Sequence, residues 1–290
     1  MTAQNWTIVT ILKTTADFFS QKNIENPRLN AELLLGHVLD MPRVRLYLEH
    51  DRPLSPEEVK RYREQVRRRV RHEPLQYIVG SAGFMGMEFE VTPAVLIPRP
   101  ETELLAEKVL ELKETMDAPR LLDIGTGSGA LAVSLARLWP QSRVTALDIS
   151  AAALQVAQNN AQRLLAGEAE RVTFYRHNVL ADWPRDLRDT YDVIVSNPPY
   201  IRRDEMDGLQ REVRDYEPAN ALTDGGDGLV FYRRLFDLTA KGILHTRHLF
   251  VEMSGSQPEK IRALCAGYNF PLIKIYPDLN NRDRILHIQF

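Results

Sequence analysis

The sequence predicts an α/β protein, a mainly parallel sheet covered by helices on both faces, preceded by a small domain built of helices alone. Three observations carry that reading. From Arg120 onward, short apolar runs alternate with stretches of helical periodicity, the rhythm of strand–helix–strand units. The first of those junctions is a glycine-rich turn, Gly125-Thr126-Gly127-Ser128-Gly129. Before residue 76, by contrast, apolar residues such as Ala31, Leu34, Leu35 and Val38 recur at helical spacing.

A chain of 290 residues has room for two modest domains and for a sizeable core. Hydrophobic and charged contents of 44% and 26% are ordinary for a soluble globular protein. Lys and Arg number 37 against 39 Asp and Glu, a net charge of -2, so the chain lacks the global basic footprint of a nucleic-acid binder. No stable nucleic-acid partner is expected. Residues 1–75 are more basic, with 13 Lys or Arg against 10 Asp or Glu. Their excess gathers in Lys60, Arg61, Arg63, Arg67, Arg68, Arg69 and Arg71, which read either as a solvated helix face or as a docking surface for an acidic or RNA-associated partner.

The single cysteine, Cys265, cannot form an internal disulfide, so the reducing cytoplasm is the expected compartment. The apolar run from Ile8 to Leu12 has no basic flank or small-residue cleavage site and is not expected to be a signal peptide. Nowhere does the apolar run reach the ~18 residues a membrane span needs, so no membrane partner is expected. The seven histidines, among them His245 and His248, show no ligand constellation, and no metal is assigned.

Taken in order, residues 1–75 form the helical N-terminal domain. Ser55-Pro56-Glu57-Glu58 opens a helix that runs to about Arg71: Ser55 caps, Pro56 suits the first turn, and Glu58 reaches back to the Ser55 amide. Residues 76–98 place Gly80, Gly83 and Gly86 among Phe84, Phe89, Val91, Val95 and Ile97, which predicts a β-hairpin linker. Residues 99–290 form the larger domain. Pro100 opens a helix through Leu112, with Glu101 and Glu103 near its positive end. Strands are expected at Leu121–Ile124, Arg143–Leu147, Val172–Arg176, Tyr191–Val195 and His248–Glu252, with helices at Ala130–Leu138 and Ala151–Leu165.

The glycine turn follows an apolar strand and precedes a helix, so it lies at the carboxyl edge of the sheet, where such folds bind ligands. Glycine there lets a ligand approach the main chain closely. Asp148 ends the next strand, 19 residues after Gly129, where a carboxylate can accept from ribose hydroxyls; its plainer alternative is a helix N-cap shared with Ser150. No Lys-Ser or Lys-Thr follows the loop, which excludes a triphosphate-binding P-loop. Together these features resemble the class I methyltransferases that bind S-adenosylmethionine. That resemblance implies cofactor contacts by Gly125, Thr126, Gly127, Ser128, Gly129 and Asp148. Asn178 follows the third strand, where that fold often carries an Asp on the adenine, and Trp183 reads as a core residue.

Asn197-Pro198-Pro199-Tyr200 follows the fourth strand directly, again at the carboxyl edge. Two prolines lack N–H groups and cannot extend a central ladder; they hold the chain extended with carbonyls available. An amide nitrogen attacks poorly because its lone pair is delocalised into the carbonyl. The Asn197 side-chain oxygen and the Pro198 carbonyl can each accept one N–H of a substrate NH2, aiming the nitrogen and favouring the charge that develops on it. Tyr200 offers a flat face to a planar group. Asn197, Pro198 and Tyr200 are therefore the expected catalytic residues, with Pro199 beside them on the substrate. No general base is assigned.

That motif serves glutamine and adenine methylation alike, and its neighbours separate the two. Pro74-Leu75-Gln76-Tyr77-Ile78-Val79-Gly80, Leu96-Ile97-Pro98-Arg99-Pro100-Glu101-Thr102-Glu103, Val195 to Ile201, and Glu217-Pro218 through Gly225-Gly226-Asp227-Gly228 closely resemble the peptide chain release factor glutamine methyltransferase family over essentially the whole chain. The resemblance implies a Rossmann-like domain with a mainly parallel seven-stranded sheet. It also implies that S-adenosylmethionine methylates the Gly-Gly-Gln glutamine of class I release factors to N5-methylglutamine, leaving S-adenosylhomocysteine. Further implications are a cofactor contact by Asn197, a pocket bordered by Arg99-Pro100-Glu101, and a release-factor grip by the N-terminal domain. Glu252-Met253-Ser254-Gly255 departs from the family pattern and receives no catalytic role. The alternatives are a glutamine methyltransferase acting on a ribosomal protein and an adenine-N6 nucleic-acid methyltransferase.

Overall fold

A computed structural model describes residues 5–188 and 190–290. The chain divides into two compact units, one running to Gly80 and taking in Gln210–Tyr216, the other comprising Ser81–Leu209 and Glu217–Phe290. The helical unit thus extends past residue 75 and includes a short piece expected in the larger domain.

Five helices begin the first unit: α1 (Ile8–Gln21), α2 (Pro27–Leu39), α3 (Arg43–Leu48), α4 (Pro56–Val70) and α5 (Leu75–Val79). Ser55 caps α4 by accepting from the Glu58 amide, and Glu58 accepts from the Ser55 amide in return. Ile8, Leu12, Phe19, Leu34, Leu35 and Tyr62 form an apolar core of their own. The basic residues of α4 and its C-cap Arg71 do not share one fate. Lys60, Arg61, Arg63, Arg67 and Arg71 are exposed, Arg68 pairs with Glu73, and Arg69 is buried. Arg69 donates to Asn30 Oδ1 at 2.7 Å and to the Glu73 carbonyl at 3.0 Å, and pairs with Glu212 of the returning segment. A buried guanidinium is tolerable because each of these acceptors answers one of its donors.

The second unit opens with the hairpin β1 (Ser81–Phe84) and β2 (Met87–Glu90). Its two-residue turn is Met85-Gly86, both at positive φ, 49° and 72°, as a tight hairpin requires. Then come α6 (Pro100–Leu110), β3 (Arg120–Ile124), α7 (Ala130–Leu138), β4 (Arg143–Asp148), α8 (Ala151–Leu164), β5 (Val172–Arg176) and β6 (Thr190–Ser196). After α9 (Arg211–Tyr216), which belongs to the first unit, follow α10 (Ala219–Leu222), α11 (Val230–Ala240), β7 (His245–Glu252), α12 (Pro258–Ala266), β8 (Leu272–Pro277) and β9 (Asp283–Gln289).

Seven strands form one sheet in the order β5-β4-β3-β6-β7-β9-β8, parallel from β5 to β7, with β9 antiparallel to β7 and β8 antiparallel to β9. Both faces are buried. Leu121, Val193, Val195 and Phe250 pack on one side with Leu105, Leu135 and Trp139, while Leu122, Ile194 and Leu249 face Tyr232, Phe236 and Trp183 on the other. From β3 the chain winds outward to β4 and β5 and then returns to β6 on the other flank of β3. The order therefore reverses between β3 and β6. In such a sheet the crevice lies there, beyond the carboxyl ends.

Candidate active site

Register brings the two loops together. Ile124 lies opposite Ser196, so Gly125 and Asn197 leave neighbouring strands side by side, and the Ser196 hydroxyl donates to the Ile124 carbonyl at 2.7 Å. Val251 lies opposite Ser196 on the far side, which brings Glu252 beside Asn197 in turn.

The glycine loop is held by its own strand and by the next. Gly125 and Thr126 amides donate to the Leu147 carbonyl at 2.8 and 2.9 Å, and the Thr126 hydroxyl donates to Asp123 Oδ2 at 2.7 Å. Asp148 Oδ2 accepts from the Gly127 amide and Oδ1 from the Ser150 amide, so this carboxylate ties the loop to the start of α8. The cap of α8 is Ser150 itself. Burial holds the Asp148 carboxyl above its ordinary range.

Gly125, Gly127, Asp148, Asn178, Asn197, Pro198 and Pro199 line one cavity of about 260 Å³. Thr126, Ser128 and Gly129 do not line it; they are buried beneath. The Ser128 carbonyl accepts from Asn160, a fully buried residue of α8 that also exchanges two hydrogen bonds with the Glu90 backbone. Gly129, at φ +80°, faces α8 so closely that a Cβ there would lie 3.0 Å from that of Ala157. Glycine at that position serves helix packing. Asn178 Oδ1 accepts from the Leu180 amide at 3.0 Å, which leaves its NH2 as donor. Trp183 is buried, donates to the Leu187 carbonyl at 3.0 Å and stacks edge-on with His177.

Around the second loop, Pro198 is buried and Asn197 half-buried. Asn197 Nδ2 donates to Thr102 Oγ1 at 3.0 Å, and Thr102 Oγ1 donates to Glu252 Oε2 at 2.7 Å. Tyr200 is outside the cavity lining, and its hydroxyl donates to Glu252 Oε1 at 3.2 Å. Burial, reinforced by Glu252, pushes the Tyr200 hydroxyl above its ordinary range. The carboxyl of Glu252 is pushed up to about 7 by burial. In the sequence Thr102 figures only within the Leu96–Glu103 flank, and Glu252 only in a stretch given no catalytic role. The structure places both against the Asn197 loop, and the signal for Glu252 is an acidic residue closing the apolar run Leu249-Phe250-Val251.

Arg99, Pro100 and Glu101 do not border the cavity, whose lining there is Ala94, Val95 and Leu96. Arg99 instead pairs with buried Glu217, which also accepts from the Ile97 amide. Asp224 accepts from the Gly226, Gly228 and Val230 amides and so knots the Gly225–Gly228 turn.

Residues 10–80 match the family described as the PrmC N-terminal domain, and residues 100–242 the one described as the methyltransferase small domain. A release factor glutamine methyltransferase of Chlorobaculum tepidum is 42% identical over 285 residues, 96% of this chain and 96% of that protein. The chain belongs to the release factor glutamine methyltransferase family. Another member, from Geobacter sulfurreducens, is 40% identical over 282 residues, covering 97% of this chain and 96% of its own. Among solved structures, the hMettl16 catalytic domain in complex with MAT2A 3'UTR hairpin 1 superposes with a TM-score of 0.53 at 16% identity, over 83% of this chain and 84% of that one. The N-terminal domain of human METTL16 in complex with SAH gives 0.50 at 16% identity, over 71% and 76%. At that identity the likeness is one of fold. As a family member the chain is a methyltransferase, and its larger unit has the Rossmann-like sheet of that class.

Proposed function

We propose that the chain transfers a methyl group from S-adenosylmethionine to the side-chain amide nitrogen of the glutamine in the Gly-Gly-Gln motif of class I peptide chain release factors, giving N5-methylglutamine. The observation that carries this reading is the shared cavity: Gly125, Gly127 and Asp148 line the same space as Asn197 and Pro198. Family membership supplies the substrate class.

The residues present fit the cofactor. Nothing lies within 4 Å of where a Cβ would stand on Gly125 or Gly127, so a ligand can reach their backbone. Each Asp148 oxygen accepts one amide and keeps a further lone pair for a ribose hydroxyl. The Asn178 NH2 and the apolar walls of Leu147, Ile149 and Val179 suit a flat heterocycle. When bound, the cofactor supplies an electrophilic methyl group on a sulfonium.

Asn197 and Pro198 do the rest by orientation. With Asn197 Oδ1 and the Pro198 carbonyl each accepting one N–H, the amide nitrogen is held with its lone pair toward the methyl donor. The same acceptors favour positive charge as the carbon–nitrogen bond forms. The surplus proton then leaves to water, so no side chain has to act as base. Alignment in a part-closed cavity can supply ~7–11 kcal/mol of the barrier in favourable cases. Among the described residues no helix is long and apolar enough to cross a membrane, in keeping with work in the cytoplasm on a translation factor.

The test is methyl transfer from labelled S-adenosylmethionine to release factor, ribosomal protein and DNA in parallel, with the label located by mass spectrometry. Label is expected on the Gly-Gly-Gln glutamine; label confined to another protein or to adenine sinks the reading. Asn197→Ala is expected to lose roughly 10²–10³-fold in kcat, as removal of one aimed polar group does elsewhere, while calorimetry still detects cofactor binding.

A further inference from the structure

We propose that Thr102 and Glu252 are positioning residues: they set which end of the Asn197 amide faces the methyl-transfer cavity, and Glu252 also anchors Tyr200. This rests on the reading of Asn197 as the group that grips the substrate NH2.

Side chains far apart in sequence meet beside Asn197. Thr102 stands in the first turn of α6, Glu252 at the end of β7, and Asn197 after β6. Thr102 is 5% exposed and Glu252 1%, so water is not a ready substitute for either partner. The polar atoms form one chain: Asn197 Nδ2 to Thr102 Oγ1 at 3.0 Å, Thr102 Oγ1 to Glu252 Oε2 at 2.7 Å, and Tyr200 hydroxyl to Glu252 Oε1 at 3.2 Å.

The direction of that chain follows from counting donors. An ionised carboxylate only accepts, and a threonine hydroxyl has one proton to give. Once Thr102 has given it to Glu252, Thr102 Oγ1 can only accept. The end of Asn197 turned toward it must then be the NH2. Because the amide is planar, its oxygen lies at the other end. A flipped Asn197 would set its oxygen against Thr102 lone pairs and offer N–H groups to a substrate that brings N–H groups of its own. A carboxylate that never touches substrate thereby decides whether the cavity presents an acceptor.

Protonation relaxes the constraint. A neutral Glu252 can donate to Thr102, which frees the threonine proton for Asn197 Oδ1 and removes the preference. Glu252 is faced by Thr102 and Glu101 from α6, by Tyr200, by Arg284 of β9, and by Tyr232 of α11, whose hydroxyl donates to the Glu252 backbone carbonyl at 2.7 Å. Burial outweighs the help from Arg284 and the two hydroxyl donors and leaves the carboxyl at about 7. Activity should therefore fall as pH drops through that value.

The experiment compares wild type, Thr102→Val, Thr102→Ser and Glu252→Gln for kcat and KM on a Gly-Gly-Gln substrate, with cofactor affinity measured by calorimetry. Thr102→Val keeps the shape and loses the hydroxyl; its kcat is expected to drop roughly tenfold to a hundredfold, the scale of one charge-linked hydrogen bond, at nearly unchanged cofactor affinity. Thr102→Ser is expected to restore most of that loss. The acid limb of the wild-type kcat profile should be missing in Glu252→Gln. Wild-type kcat in Thr102→Val overturns the proposal. So does a loss that tracks cofactor affinity and is not rescued by serine, because that is the mark of a merely structural role. If wild type itself leaves the glutamine unmethylated, the substrate reading has failed instead.

Discussion

Gly228 stands at φ +77°, and a Cβ built there would lie 2.3 Å from the Tyr200 carbonyl oxygen and 2.9 Å from Gln257 Nε2. The first of these neighbours cannot step aside cheaply, and the second moves only by giving up a hydrogen bond. The carbonyl is backbone, and Gln257 Nε2 already donates to it at 3.2 Å. Gly228→Ala combines this clash with a backbone angle that L side chains rarely adopt. It is expected to cost at least roughly 1–3 kcal/mol and to lower kcat by displacing Tyr200; urea denaturation and the transfer assay read the two effects. Unchanged stability would show that the turn moves away freely. The Gly225–Gly228 run is visible in the sequence only as a mark of the family, because the atom that requires Gly228 belongs to the Asn197–Tyr200 loop. Arg69 teaches the same point. Reading it with its basic neighbours hides that it is buried against Asn30 and Glu212.

Elements were most legible where their signals are local. The α4 start, the strand at Val172–Arg176 and the helix Ala130–Leu138 lie where the sequence puts them, since caps and periodicity involve only nearby residues. Ser55→Ala removes the hydroxyl half of the α4 capping box and is expected to cost roughly 0.5–2 kcal/mol. Faster hydrogen exchange confined to the first turns of α4 would show it, whereas unchanged exchange there would mean that packing of Val59 and Tyr62 alone sets the helix start. The strands β8 and β9 were not singled out individually. β8 is an edge strand with Leu272 and Ile273 exposed, so its pattern does not alternate, and β9 is recognisable chiefly through its pairing with β7. The segment read as a hairpin from residue 76 begins with a helix turn to Val79, and its strands occupy only Ser81–Glu90. The helix from Pro100 passes into a 3-10 turn after Leu110, short of the expected Leu112.

At the scale of the whole molecule, burial of ionisable groups couples folding to pH. Asp123 is fully buried, and desolvation pushes its carboxyl from 3.8 up to about 7. Between those values the folded protein holds a proton that the unfolded chain releases. The associated stability is fully present at the acid end and is lost as pH rises through the folded value. Glu252 acts in the same direction, from 4.5 to about 7. Asp123→Asn should therefore flatten the fall of Tm between about pH 4 and pH 7; parallel curves for variant and wild type would refute the assignment. By itself the sequence determined the strand–helix alternation and the two loops at the carboxyl edge, because periodicity, glycine and proline act within a few residues. Only the tertiary structure decided what the Asn197 loop rests on, Thr102 across 95 positions and through it Glu252 across 150, and what holds Arg69 within the helical unit, Glu212 across 143. The physical reason is that a buried polar group must find its partner wherever strand order and register bring one within reach, and that distance is not written along the chain.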